Sequence, residues 1–453
     1  MNQQKFFDQP LKILAIKIIG LKNTKKDIIE KNFNKFQQVK TVGDAFYITE
    51  EIFTKLKNLS IFKSIKFNLD KAIVKDNSNA NLSVLDVEFE EKSRGPNLQI
   101  SGNFSKKGFG GSISSKIINM FGRGEKLHGN FSIGKDSRNL LFDFSKPILS
   151  IFEEKIPTIN FQAFHNINPN EKLNFKEKII GSQIIMSSDI INPELDNTRR
   201  GIGFSNLLHS LSFVCESRSV KTLKENSVDE TNQKYLGHSW KTSLVHDLYL
   251  DRRDNHLFPS KGYYFHVSNE IATTFANQTS SFIKSTIQTQ KNFPIYKSLR
   301  LNILNSFGFI LPLFSSQEIK INDLFPEHTR SFCRGFKLNE NPDSKNFGGN
   351  IYNFLSAILS FKLPIPNSEK VPIYPQLFTS IGNIQFKESL QFSNFFQFFH
   401  QLLKLSDSVL GFGLATQLGA SRLEINASYP IITKEKEKKE FSKISFSFDL
   451  HLN

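Results

Sequence analysis

The chain has 453 residues, 39% of them hydrophobic and 12% aromatic, and 58 Lys plus Arg against 43 Asp plus Glu give a formal net charge of +15. No stretch reaches the roughly 18 uncharged apolar residues of a membrane-spanning helix, which excludes a helical membrane protein but not a barrel, whose strands are oily only at alternate positions. The lysines are scattered and build no basic helix, so nucleic acid is not the expected partner; a cationic excess suits work beside anionic lipid headgroups.

The N-terminus MNQQKFFDQP has neither a charged and then apolar leader nor an Arg-rich amphipathic one, so the expectation is synthesis in the cytosol without a cleaved address. After this tail, residues 1–10, the stretch 11–94 reads as a small α+β domain. Leu14, Ile16 and Ile18 alternate before Gly20, a strand and a turn. Thr24, with Asp27 three residues on, predicts a capped helix whose buried stripe is Ile29, Phe33 and Phe36. Thr49 before Glu50 and Glu51 predicts the start of a second helix with the stripe Ile52, Leu56, Leu59. Two strands follow, one with Ile65, Phe67 and Leu69 in phase, the other with Leu82 and Val84, then Leu85, Val87 and Phe89; the slip of phase predicts a bulge.

Beyond Gly95-Pro96 the helical period largely disappears, and 95–453 reads as strands. Leu127, Gly129, Phe131 and Ile133 alternate with Lys126, His128, Asn130 and Ser132. Tyr263, Phe265 and Val267 share one phase, as do Leu301, Ile303, Phe307 and Phe309, and Leu423, Ile425, Ala427 and Tyr429. The C-terminal KISFSFDLHLN alternates to its end. Runs of about ten residues with an apolar-out, polar-in dyad fit a transmembrane barrel better than a soluble sandwich, whose strands average five or six residues. In a barrel the intervening charges face a wet lumen and escape the cost of burial, and closure satisfies every backbone polar group. At about 20–24 residues per strand and connection, roughly sixteen antiparallel strands fit. Residues 385–407 do not alternate and predict a helix in a long loop; residues 216–237 and 434–440 read as solvated loops.

Catalytic signatures are missing. There is no Walker A, HExxH or GxSxG pattern, and Cys215 and Cys333 have neither metal-site nor CxxC spacing, so no enzyme, cofactor or metal is expected. In DRRDNH, Arg252 and Arg253 repel a cation and pair with the neighbouring carboxylates. The glycine clusters at 108–111 and 411–419 read as turns or close backbone approaches. One loop, near 311–349, contains SFCRGFKLN. Five strands follow it, so it lies at the far end from the C-terminus, and Arg334 is expected to fold back into the lumen and bond the inner wall.

The phrases INMFGRGEKLHGNFSIG, DRRDNHLFPSKGYYFHVSNEIA, FCRGF, NFGGNIYN and GFGLATQLGASRLEINASYPI, in that order, resemble the outer-membrane barrel-assembly family, most closely its mitochondrial sorting and assembly machinery branch. The N-terminal domain, with IKIIGLKNT and LSIFKSIKF, resembles a single polypeptide-transport-associated (POTRA) repeat. The resemblance implies a sixteen-stranded barrel with a lumen loop motif at 333–336, where Arg334, Gly335 and Phe336 fit and Cys333 replaces an aliphatic residue. It implies a C-terminal sorting pattern, read here as Lys443, Ser445, Phe448 and Leu450, with Ser at the usual Gly position, and an inner-wall contact for the loop at FTSIGN, with Phe378 and Ser380 but no acid.

The resemblance further implies insertion of β-barrel precursors into the mitochondrial outer membrane, with the POTRA domain in the intermembrane space. Partners would be the lipid bilayer, precursor clients, accessory subunits of the sorting and assembly machinery and inner-membrane contact-site proteins. The expected lateral gate lies between strand one at 111–118 (Gly111, Ile113, Ser115, Ile117) and the last strand at 443–452 (Lys443, Ser445, Phe446, Phe448, Leu450). A passive pore, a bacterial or plastid relative and a soluble β-rich enzyme are the rivals.

Overall fold

The computed structural model describes residues 7–71, 81–105, 108–148, 157–170, 175–187, 207–222, 236–273, 281–314, 319–325, 334, 348–364, 372–386, 390–404, 406–418, 421–432 and 445–452. Two compact units emerge, residues 1–169 with 178–202, and residues 170–177 with 203–453.

The first unit begins with a three-stranded sheet of β1 (Leu11–Ile19), β2 (Phe62–Lys71) and β3 (Asn81–Glu91). Its order is β1-β3-β2, with β3 parallel to β1 and antiparallel to β2. Helices α1 (Lys26–Phe33) and α2 (Val42–Asn58) pack on it. The predicted stripes meet in one core, where Ile29, Phe33, Phe36, Ile52, Leu56 and Leu59 join Leu85, Val87 and Phe89.

Both helix starts differ from expectation. Thr24 does not cap α1; its N–H donates to Glu91 Oε1 at 2.8 Å and its hydroxyl accepts from Asn119 Nδ2 at 2.9 Å. Helix α2 starts eight residues before Thr49, at Thr41, in a reciprocal box. The Asp44 N–H donates to the Thr41 hydroxyl at 3.1 Å and the Thr41 N–H donates to Asp44 at 3.0 Å. Glu50 and Glu51 after Thr49 imitate an acidic first turn although they lie in the middle of the helix, which is why the start was placed too late. The register shifts sit on the partner strands, between Ile13 and Ala15 and between Phe62 and Ser64, not within β3.

A sixteen-stranded sheet forms the barrel, each strand beside its neighbours in sequence. The first strands are β4 (Asn97–Ser105), β5 (Gly108–Ile118), β6 (Lys126–Ile133), β7 (Arg138–Pro147), β8 (Thr158–Asn170) and β9 (Phe175–Ser187). Next come β10 (Leu207–Thr222), β11 (Gly237–Asp251), β12 (Gly262–Thr273), β13 (Phe282–Tyr296) and β14 (Leu299–Pro312). After the long loop run β15 (Ile351–Phe361), β16 (Ile373–Gln385), β17 (Asp407–Leu418), β18 (Ser421–Ile432) and β19 (Ser445–Leu452). Helix α3 (Phe395–Lys404) occupies the connection predicted to hold one. Among the described residues no helix is long and apolar enough to cross a membrane.

The dyad is legible in the burial. On β18, Glu424, Asn426 and Ser428 are buried, whereas Ile425 and Tyr429 are exposed. Two expectations need correction. The segment 216–222 belongs to β10 rather than to a loop, because its charged Glu216 and Arg218 lie in the inward phase, where ion pairs hold them. The lumen wall of β15 and β16 is not simply polar, since Tyr352, Phe354, Ile358 and Phe378 point inward and are buried. These rings need flat neighbours. A Cβ at Gly382 would strike the Phe354 ring, and one at Gly411 the Phe378 ring, which explains part of the glycine clustering.

Candidate functional site

Two features bear on function, namely the terminal strands of the sheet order and the contents of the lumen. The sheet order ends at β4 on one side and β19 on the other. On β4 both faces are open, with Leu98 59% and Ile100 70% exposed and Asn97, Gln99 and Ser101 also exposed. The gate strand expected at 111–118 is therefore the second strand. Gly111, Ile113, Ser115 and Ile117 lie on β5, sandwiched between β4 and β6. The true first strand escaped detection because Gly102 and the polar SKKG following Phe104 interrupt its alternation. At the other end, β19 pairs with β18 through Ser445↔Ser428, Phe446↔Ala427, Phe448↔Ile425 and Leu450↔Leu423. Lys443 lies outside the described residues.

The loop between β14 and β15 enters at the end of the barrel opposite the C-terminus, because five antiparallel strands follow it. Arg334 meets Glu424 on β18 in a two-pronged pair, Nε to Oε2 at 2.7 Å and Nη2 to Oε1 at 2.6 Å. Glu424 stands eight residues along β18 from Ile432, so Arg334 meets the wall roughly 26 Å along that strand from its far end, at about 3.3 Å per residue. The carboxylate is saturated. Arg422 pairs with it at 2.5 Å, and Gln376 and Asn426 each donate to it at 3.2 Å. Gly335, Phe336 and Cys333 lie outside the described residues.

The wall partner of Arg334 is thus Glu424 and not the FTSIGN segment. Phe378 and Ser380 do point inward, but Phe378 fills the space over Gly411 and the Ser380 hydroxyl bonds that of Ser356 at 2.9 Å. The missed acid had a signal in the sequence, as a Glu in the inward phase of a strand, flanked by Arg422 and Asn426.

A second anchor holds the same loop to another part of the wall. Asp323 is buried, accepting from Arg218 Nη1 at 2.7 Å and from Lys241 Nζ at 3.1 Å, while its carbonyl accepts from Lys284 at 2.8 Å. Glu216 and Glu270 offset the added cations, Lys241 lying 2.5 Å from Glu270. Phe325 then packs edge-on to Tyr352, with ring centroids 4.6 Å apart. The loop is held by reciprocal charge, an acid on a basic wall and an arginine on an acidic one. Buried pairs of this kind fix geometry more than they add stability.

From the other end, the β11–β12 connection folds inward. Arg422 donates to the Leu257 carbonyl at 2.6 Å and Arg300 to that of Phe258 at 2.8 Å. The Phe258 ring stacks on Tyr374 at 4.3 Å. Arg422 therefore joins the descending loop, through Glu424, to this rising turn. Within the DRRDNH segment Arg253 pairs with Asp251 at 2.5 Å. Among the described residues no cluster of acids, His or Cys suits a metal ion. The arrangement holds, positions and presents edges.

Comparisons with known proteins agree with this geometry. A SAM50-like protein of Schizosaccharomyces pombe is 24% identical over 444 residues, covering 94% of this chain and 88% of the relative. The human sorting and assembly machinery component 50 homolog is 24% identical over 432 residues, covering 91% and 84%. Among solved structures, BamA from Haemophilus ducreyi lacking POTRA domains 1–3 superposes with a TM-score of 0.71 at 13% identity, covering 97% of this chain and 84% of that one. The model of the Omp85 superfamily domain matches residues 119–450, nearly three quarters of the chain. With that match laid over sixteen strands and a lumen loop, the chain belongs to the Omp85 superfamily of outer-membrane β-barrels.

Proposed function

We propose that this protein inserts and assembles β-barrel precursors in the mitochondrial outer membrane as the core barrel of a sorting and assembly machine. The observation that carries the reading is the sheet order, which runs from β4 to β19, with both faces of β4 exposed among the described residues. A strand edge with unmet N–H and C=O groups is a template for another strand. An incoming precursor's last strand adds to that edge through main-chain hydrogen bonds, and later hairpins follow. Burial of the client's apolar band in lipid drives the reaction, so no nucleotide is needed.

An even number of strands returns the chain to the end from which it started, which supports both termini, with the POTRA-like domain at 11–94, facing the intermembrane space. That domain offers arriving chains an edge of its own, β1 or β2, each paired on one side only in the sheet order. The doubly anchored loop and the inward turn fill lumen space that a passive porin would leave to solute. Accessory subunits and inner-membrane contact-site proteins are partners consistent with this role.

The test is to deplete the protein and follow other outer-membrane barrels. Their assembly is expected to fall while helical outer-membrane proteins still insert; unimpaired barrel assembly overturns the reading. Cysteine pairs scanned along β4 and β19 and locked by oxidation are expected to stop insertion and to release it on reduction.

A further inference from the structure

A cavity of about 410 Å³ lies between the N-terminal domain and the barrel rim, and the proposed role leaves it unused. Its lining combines Lys31 and Asn32 of α1, Arg123 from the β5–β6 turn, Lys146 of β7, and Ile148 and Ile159 beside it. The turn holds the domain close. The Lys25 N–H donates to the Gly122 carbonyl at 2.9 Å, and a Cβ at Gly122 would strike the Asn23 carbonyl. Asp27, the acid in the lining, is engaged by Arg123 at 3.1 Å. Lys31 and Lys146 have no acidic partner among the described residues.

The barrel register says where the cavity opens. Lys146 pairs with Ile159, and Phe144 with Phe161, so all four side chains share one face of the sheet. Leu140 and Phe142, on the same phase of β7, alternate with the lumen side and are 51% and 44% exposed, as lipid-facing residues are. Lys146 therefore ends an apolar ladder at the rim, where a lysine stem lies along the hydrocarbon and its ammonium reaches headgroup depth. Three cations and an amide converge there at the foot of an oily wall.

We propose that this cavity binds the phosphate headgroup of an anionic phospholipid, with the acyl chains lying on Ile159 and Phe161. The lipid bridges barrel and domain, so the setting of the N-terminal domain depends on the leaflet it faces. A bilayer source is favoured over free phosphate because the cations border the lipid-facing ladder. The inference rests only on the barrel spanning a bilayer and not on precursor insertion.

Native mass spectrometry of the full chain, released from nanodiscs of phosphatidylcholine with or without cardiolipin, tests it. The wild type is expected to retain the anionic lipid. The Lys31→Gln, Lys146→Gln pair is expected to weaken retention at least about tenfold, two basic contacts being lost. Equal retention by the pair overturns the proposal, as does retention of inorganic phosphate, lost in the pair, with no preference for the lipid. Should the pair fail to fold, as seen by loss of heat-modifiable mobility, Lys146→Gln alone, at a solvent-exposed side chain with no ion pair among the described residues, carries the same comparison.

Discussion

Glu424 is the hub of the Arg334 anchor, because two arginines and two amides converge on it. Glu424→Ala leaves Arg334 and Arg422 facing each other without a counter-charge and is expected to cost about 3–5 kcal/mol, measured by urea unfolding in detergent. Arg334→Ala is expected to cost less, since Glu424 keeps Arg422, Gln376 and Asn426. Equal losses would contradict this asymmetry. Outside the membrane, Glu91 governs the loop at 22–24. Burial on its own would raise its pKa, but the Thr24 hydroxyl and the backbone N–H groups of Thr24, Asn23 and Lys22 outweigh that and hold it below the ordinary 4.5. A depressed carboxylate contributes stability that is full above about pH 4.5 and is lost as pH falls through its lower folded value. Amide exchange at residues 22–24 is expected to quicken over that window, and Glu91→Gln to abolish the dependence. Much of this scale was hidden in the sequence. The need of Arg334 for a wall partner was readable, but choosing Glu424 over the FTSIGN segment requires knowing which inward residues lie level with a loop that spans the lumen.

At the scale of elements, the strands were the most legible part, because lipid enforces a dyad that periodicity detects. The five strands after the lumen loop and the helix at Phe395–Lys404 were legible this way. Strand β4 was not, because Gly102 removes a side chain from the outward phase and the polar turn follows at once. The start of α2 was lost because Thr49, Glu50 and Glu51 imitate a first turn although they lie in the middle of the helix. Thr41→Ala is expected to destabilise the N-terminal domain by about 1 kcal/mol, through loss of the helix cap, read from thermal unfolding followed by helical circular dichroism. The inward aromatics were also unforeseen, since a ring over a glycine on the next strand leaves no mark in either strand alone. Gly411→Val forces the Phe378 ring aside and is expected to cost about 1–3 kcal/mol, with partial recovery in the Gly411→Val, Phe378→Ala double variant. No recovery would mean that the valine is harmful for another reason.

For the whole molecule, the two ends of the sheet and the two anchors of the loop belong to one design. On the proposed reading, a barrel that parts between its first and last strands loses ladder hydrogen bonds when it does so, and the rest must stay in shape. The lumen loop, tied at Asp323 to β10, β11 and β13 and at Arg334 to β18, braces the wall from within. The turn at Leu257 and Phe258 does the same from the opposite end. Breaking both loop anchors together, by Asp323→Asn with Arg334→Ala, is expected to impair client assembly more than either change alone while the barrel stays resistant to carbonate extraction. The most direct test of strand templating is site-specific photocrosslinking of an arrested barrel precursor to probes placed along β4, β5 and β19. The account predicts crosslinks from the precursor's last strand to β4, in an order that follows an antiparallel or parallel register, with none to β5. Crosslinks confined to the lumen wall, or equal at β5, would contradict it.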